Sequence, residues 1–192
     1  LRNLLKKDSI TAFSTVPALF QPFFDKASIN TLYLEFKENQ KIDRNELISN
    51  LVENGYDPAD LVTKPSSYAL RGSVIDIFPS NSKYPVRIDL DDDLISSISI
   101  FDTDTQKTLR KINSFIVRPS RGFVLNVNSI KIFKKNWRSR FKDDGEVFES
   151  VSKGKFISGI EFYSSLFYDE KPSLKDYLND FNIFIVGDVK SE

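Results

Sequence analysis

The residue types that carry most enzyme chemistry are missing from this chain, which has no histidine and no cysteine. Without His there is no Ser-His or Cys-His pair to activate a nucleophile. There is also no imidazole to move protons near neutral pH, and the commonest metal ligand is lost. Without Cys there is no thiolate zinc site and no disulfide scaffold. The same zero fits a reducing compartment, so the chain is read as cytoplasmic. The one Gly-Lys step, Gly154-Lys155, runs into Phe156 and lacks the glycine spacing of a phosphate loop. Carboxylates and cations remain. Asp89, Asp91, Asp92 and Asp93 crowd together, but a divalent ion would need further ligands converging on them. A solvated strand end or turn is the plainer reading. No catalytic, cofactor-binding or metal-binding residue is assigned, and these 192 residues are not expected to be an enzyme on their own.

Basic residues gather in one place. Lys131, Lys134, Lys135, Arg138, Arg140 and Lys142 surround Ile130, Phe133, Trp137 and Phe141, which share one face at helical spacing from Ser129 to Phe141. Cations over an aromatic stripe suit a nucleic-acid contact, with Lys134, Lys135 and Arg138 as the candidates to touch duplex DNA. The competing reading is a core-facing stripe under a solvated charged face. The balance of 27 basic against 27 acidic residues favours the second, because no net field draws the chain to phosphate.

The elements that must position such residues follow from periodicity. At 192 residues and 40% hydrophobic, with 17 Phe, the chain can fold as one domain, or as a small domain plus part of another. No apolar run approaches the roughly 20 residues of a membrane span, and no signal peptide is visible. A start at Leu1, inside an apolar pattern and without Met, reads as a piece of a larger protein. Ser9 to Phe13 reads as a strand, Thr15 to Phe24 as a helix with Pro17 in its first turn, and Thr31 to Phe36 as a strand. Next comes a helix capped by Asp43, with Glu46 at capping-box spacing, a stripe of Leu47, Ile48, Leu51 and Val52, and a stop at Gly55. Ser73 to Phe78 and Pro85 to Leu90 form a hairpin, followed by strands at Leu94 to Phe101 and Ile112 to Val117. Asn182 to Val186 is an unbroken apolar run of the kind buried on both faces of a parallel sheet. The fold class is therefore α/β (α+β): a small helix-plus-antiparallel-sheet domain inserted in a larger, partial α/β domain.

Several strings match a family. Leu51-Val-Glu-Asn-Gly-Tyr56, Tyr68-Ala-Leu-Arg-Gly72, Val74-Ile-Asp-Ile-Phe-Pro79, Pro85-Val-Arg-Ile-Asp89, Phe101-Asp102 and Thr105-Gln106 resemble the second domain of transcription-repair coupling factors and of the excinuclease component UvrB. Val151-Ser-Lys-Gly154 and Gly159-Ile-Glu-Phe-Tyr163 are similar to the coupling factors specifically, and a fragment of UvrB is the alternative. The resemblance implies the end of domain 1a at 1–32, domain 2 at 33–118, and part of domain 1b at 119–192. Domain 1 would be a P-loop-like fold with degenerate nucleotide motifs. It also implies that domain 2 binds the excinuclease component UvrA through Arg71, Arg87 and Asp91. The chain would be monomeric, without a cofactor of its own and without a membrane. Contact with RNA polymerase, and translocation on duplex DNA with ATP and Mg, would belong to the longer parent. If Phe78 pairs with Val86, Arg71 (just before Gly72, at a strand start) and Arg87 share one sheet face and could fork the carboxylates of an acidic partner. The alternative for either arginine is a local ion pair with Asp76, Asp89 or Asp93. The sequence departs from the family at three places: Asp91 where an aromatic is usual, Ser66-Ser67 for Gly-Glu, and Ser99 for Arg.

Overall fold

A computed structural model describes residues 11, 13–20, 22, 24, 32–170, 173–178, 182 and 184. Its centre is a six-stranded sheet in the order β2-β3-β4-β5-β6-β7, with a two-stranded β1-β8 ribbon beside it. The strands are β1 (Leu34–Lys37), β2 (Asp57–Pro58), β3 (Ser67–Arg71), β4 (Val74–Phe78), β5 (Val86–Asp91), β6 (Leu94–Phe101), β7 (Thr108–Lys111) and β8 (Ser114–Val117). From β3 to β7 each strand returns antiparallel beside the last, while the short β2 runs parallel to β3. The turns are tight. Gly72 at φ +57° closes β3 onto β4, and Asp92 at φ +53° closes β5 onto β6. The mixed α+β class read from periodicity is the class observed.

Alternation gives the sheet two unlike faces. Tyr68, Ile75, Ile77, Val86, Ile88, Leu90, Ile95 and Ile98 form the main core, together with Phe36, Phe115 and Val117 from the ribbon. Leu47 and Leu51 of the helix α2 (Arg44–Glu53) enter the same core; α1 is a single turn, Val16–Leu19. The α2 helix begins and ends as its sequence dictates. The Asp43 carboxylate accepts from the backbone N–H of Asn45 and Glu46, at 2.7 and 3.0 Å. At the other end Gly55, at φ +82°, donates to the Val52 carbonyl while Tyr56 N–H donates to Leu51, each at 2.9 Å. This pair of bonds is a Schellman stop. Ile48 is half-buried, and Val52, assigned to the stripe, is exposed.

Residues from Phe123 onward build a second, aromatic core. Helices α3 (Val127–Arg140) and α4 (Glu146–Ser152) and the 3-10 helix Ile160–Phe167 enclose Phe123, Phe133, Trp137, Phe148 and Phe167. Phe123 stacks on Phe167 with ring centroids 4.3 Å apart. The N-cap of α3 is Asn126, whose side chain accepts from Ser129 N–H while the Ser129 hydroxyl accepts from Asn126 N–H. The helix therefore starts before Ser129, and Phe141, assigned to the shared face, is 41% exposed and packs its ring against Trp137. The last carbonyls of α2 tie the two cores together: Ser120 N–H donates to Asn54 and Leu125 N–H to Glu53.

Other expectations are corrected. Among the described residues of the helix expected at Thr15 to Phe24, the helical part is the turn Val16–Leu19, with Pro17 in its first positions and Phe20 closing it. The strand expected at Thr31 to Phe36 begins at Leu34, and the one at Ile112 to Val117 begins at Ser114. Most of Ser9 to Phe13 lies outside the described residues; Thr11 and Phe13 are not in a strand. Of Asn182 to Val186 only Asn182 and Phe184 are described, both outside strands, and Phe184 is 87% exposed.

Candidate functional site

The second face of the sheet holds the chemistry. Ala69 and Arg71 on β3, Val74 and Asp76 on β4, Arg87, Asp89 and Asp91 on β5, and Ser97, Ser99 and Phe101 on β6 alternate with the core residues. The register sets the geometry. Ile77 lies opposite Val86 and Asp76 opposite Arg87, one residue from the expected pairing of Phe78 with Val86. The physical reason is the isoleucine pattern. This register puts Ile75, Ile77, Val86 and Ile88 together on the core side, whereas a slip by one would set Arg87 against Ile77. Arg71 sits at the end of a strand and not at a start, because Ser67–Arg71 pairs with β4 in full.

Asp76 is the hub. Its side chain is 0% exposed, and both arginines converge on it. Arg87 forks it, with Nε to Oδ1 at 2.8 Å and Nη2 to Oδ2 at 3.0 Å; Arg71 Nη2 donates to Oδ2 as well. Arg87 Nη1 reaches the Gln106 carbonyl at 3.4 Å, and its guanidinium carbon lies 4.5 Å from the Phe101 ring centre. The hydrogen bonds to Asp76 raise the pKa of Arg87, against the opposing effect of burial. Phe101 belongs to a small apolar cluster with Val62, Ala69 and Phe78, which closes this end of the face. The ion-pair alternative with Asp76 is therefore realised for both arginines. Sequence reasoning named Asp76 only as that alternative and missed Phe101 and Gln106. The signal for Asp76 was available: a lone carboxylate between Ile75 and Ile77 sits on the face that the two arginines share.

Asp91 ends β5 at the hairpin tip, exposed, on the arginine face of the strand. Among the described residues no hydrogen bond or ion pair joins it to Arg71 or Arg87. The acidic string is split among separate partners: Ser97 Oγ donates to Asp89 at 2.6 Å, and Lys41 Nζ lies 3.3 Å from Asp93. Within the described residues no group of three or more such side chains could hold a metal ion.

Of the basic candidates on α3, Lys135 Nζ lies 2.8 Å from Asp169 Oδ1, Arg138 stacks 5.5 Å from the Phe148 ring centre, and Lys134 is half-buried. Ile130, Phe133 and Trp137 point into the aromatic core, as a core-facing stripe would. Gly154-Lys155 is a helix stop. Gly154 N–H donates to Val151 and Lys155 N–H to Ser150, each at 2.9 Å, so these amides close α4 and are not free to cradle phosphate. No helix among the described residues is long and apolar enough to cross a membrane.

Comparison with known proteins gives this geometry a family. Residues 34–123 match the family model of the UvrB interaction domain. The transcription-repair-coupling factor of Haemophilus influenzae is 36% identical over 160 residues, covering 81% of this chain and 14% of that protein. The Escherichia coli coupling factor is 35% identical over 148 residues, 75% of this chain and 13% of its own length. UvrABC system protein B of Neisseria meningitidis is 26% identical over 213 residues, covering 97% of this chain and 31% of that protein. The chain thus spans about one seventh of the length of the coupling factors it matches. Residues 34–123 are a UvrB interaction domain, in a chain related over about four-fifths of its length to the transcription-repair-coupling factors.

Proposed function

We propose that the sheet face carrying Arg71 and Arg87 docks the excinuclease component UvrA, and that the chain is the recruitment region of a transcription-repair coupling factor acting in nucleotide excision repair. The observation that carries this reading is the convergence of both arginines on one rigid face of a UvrB interaction domain. A preformed cationic fork whose Arg71 side chain is 43% exposed suits a carboxylate on a protein partner. The bracketing acids Asp89 and Asp91 give the face mixed charge, so the partner would carry both signs. Asp91, standing where the family resemblance implies an aromatic, removes one apolar anchor and should weaken docking, since desolvated anchors carry more energy than rim charges.

In this reading residues 1–32 and 119–192 belong to a flanking domain without nucleotide chemistry. Contact with RNA polymerase, and ATP- and Mg-dependent translocation on duplex DNA, fall to other regions of a longer protein. Calorimetry of the 192-residue chain against UvrA tests the proposal. Charge reversal, Arg71→Glu, should abolish a binding isotherm seen with the parent chain. Equal affinity for both would overturn it.

A further inference from the structure

Resting on that docking reading, we infer that Asp76 is a positioning residue and that the two arginines it holds have different jobs. Arg87 is the fixed anchor, and Arg71 is the arm that reaches the partner. The geometry separates them. All three guanidinium nitrogens of Arg87 are committed, two to Asp76 and one to the Gln106 carbonyl, and its flat face lies against Phe101. Its side chain is only 19% exposed. Arg71 touches Asp76 through Nη2, and 43% of its side chain is open to solvent. A carboxylate outside the protein can therefore pair with Arg71 without first breaking the buried fork, whereas engaging Arg87 would require dismantling it.

The presence of Asp76 supports a role beyond stability. Burying a carboxylate carries a desolvation cost, whereas burying an apolar side chain is favourable, and buried ion pairs can be exchanged for apolar residues with no loss of stability. Phe101, Ala69, Val62 and Phe78 already supply an apolar cluster against which such a replacement could pack. What the apolar alternative could not do is hold a second guanidinium at a set angle above the sheet. Oδ2 takes one nitrogen from each arginine, so the fork that fixes Asp76 in turn fixes where Arg71 stands. Ala69, directly opposite Asp76, brings no bulk to the gap between them.

The test is a binding cycle on the 192-residue chain, read by calorimetry against UvrA with the thermal midpoint measured alongside. The variants are Arg71→Ala, Arg71→Lys, the apolar double exchange Asp76→Leu with Arg87→Met, and that exchange combined with Arg71→Ala. Arg71→Ala should weaken binding by about tenfold or more while leaving the midpoint in place. Arg71→Lys, which keeps the charge and loses the fork, should weaken it nearly as much. The apolar exchange should keep the midpoint and still weaken binding, because Arg71 is present but no longer held. On that background Arg71→Ala should cost less than about threefold further, which is the coupling expected of a positioning residue. Binding by the apolar exchange within about twofold of the parent would overturn the role of Asp76. Unchanged binding by Arg71→Ala would overturn the role of Arg71, and that substitution sits at an exposed position where folding is not at stake. If the parent chain itself fails to bind, the docking reading falls and this inference falls with it; parent binding that no variant alters sinks the inference alone.

Discussion

The two faces of the six-stranded sheet are written by the same strands and obey different rules. On the α2 side, Ile75, Ile77, Ile88, Ile95 and Ile98 are all 0% exposed and pack into one apolar cluster. On the other, one residue away along each strand, Arg71, Asp76 and Arg87 meet through directed hydrogen bonds. Burial on the first face is tolerant of chemistry and intolerant of lost volume. On the second it is the reverse: shape matters less than whether each charge keeps its partner. The alternation that builds the sheet thus lets a stable core and a charged site share a backbone without sharing side chains.

Removing one side of the buried pair should give the largest effect. Arg87→Ala leaves Asp76 buried with only Arg71 beside it and is expected to cost about 3–5 kcal/mol, read by urea unfolding. A loss below ~1 kcal/mol would mean that water reaches Asp76 and that the two faces differ less than their hydrogen bonds imply. On the aliphatic face Ile88→Ala should cost about 2–5 kcal/mol through lost transfer energy and a residual cavity. The contrast appears in rescue: restoring volume with Leu at 88 should recover most of the loss, while Arg87→Met, of similar reach, should not while Asp76 remains.

Tyr56 marks a third environment, at the seam between the two cores. Its hydroxyl donates to the Arg118 carbonyl at 2.9 Å and accepts from Ser80 N–H at 3.0 Å. Tyr56→Phe should cost about 1–3 kcal/mol by leaving both groups without that partner. Burial raises the Tyr56 pKa above its ordinary 10.0, against the hydrogen bonds with Ser80 and Arg118. A raised folded value means stability that is fully present below pH 10.0 and lost as pH rises through the higher folded value. The alkaline fall in stability should therefore be shallower in Tyr56→Phe than in the parent chain.

Elements with a strong local signal could be read from sequence, and those set by neighbours could not. Asp43 and Gly55 bracket α2 because capping and left-handed stops are local chemistry. The β4-β5 hairpin was readable too, but its register depended on which isoleucines face the core, and a one-residue slip preserved the arginine face by another route. β7 went unread because Thr108, Leu109, Arg110 and Lys111 are all exposed and show no alternation. The site was half visible. Arg71 and Arg87 stood in the matched strings, but that both converge on Asp76 is a fact of strand pairing, which a single strand does not announce. Ser66, where the family resemblance implies Gly, adopts φ +62°, so the backbone keeps the glycine conformation after the glycine is gone.

The smallest effect concerns the turn that serves the charged face from outside. The exposed carboxylate of Asp102 accepts from Thr105 N–H at 2.8 Å, from the Thr105 hydroxyl at 2.9 Å and from Asp104 N–H at 3.2 Å. These bonds, those of Thr105 foremost, hold its pKa below the ordinary 3.8. A depressed folded value means stability that is present above pH 3.8 and lost as pH falls through the lower folded value. The same turn sets Gln106, at φ +58°, so that its carbonyl meets Arg87 Nη1. Asp102→Asn should therefore lower the neutral plateau slightly and flatten the acid limb below pH 3.8, because the contribution lost on acidification is then already absent. If it instead lowered the plateau as much as Arg87→Ala does, the anchor would depend on the turn as heavily as on Asp76, and the fork could no longer be treated as a device internal to the sheet.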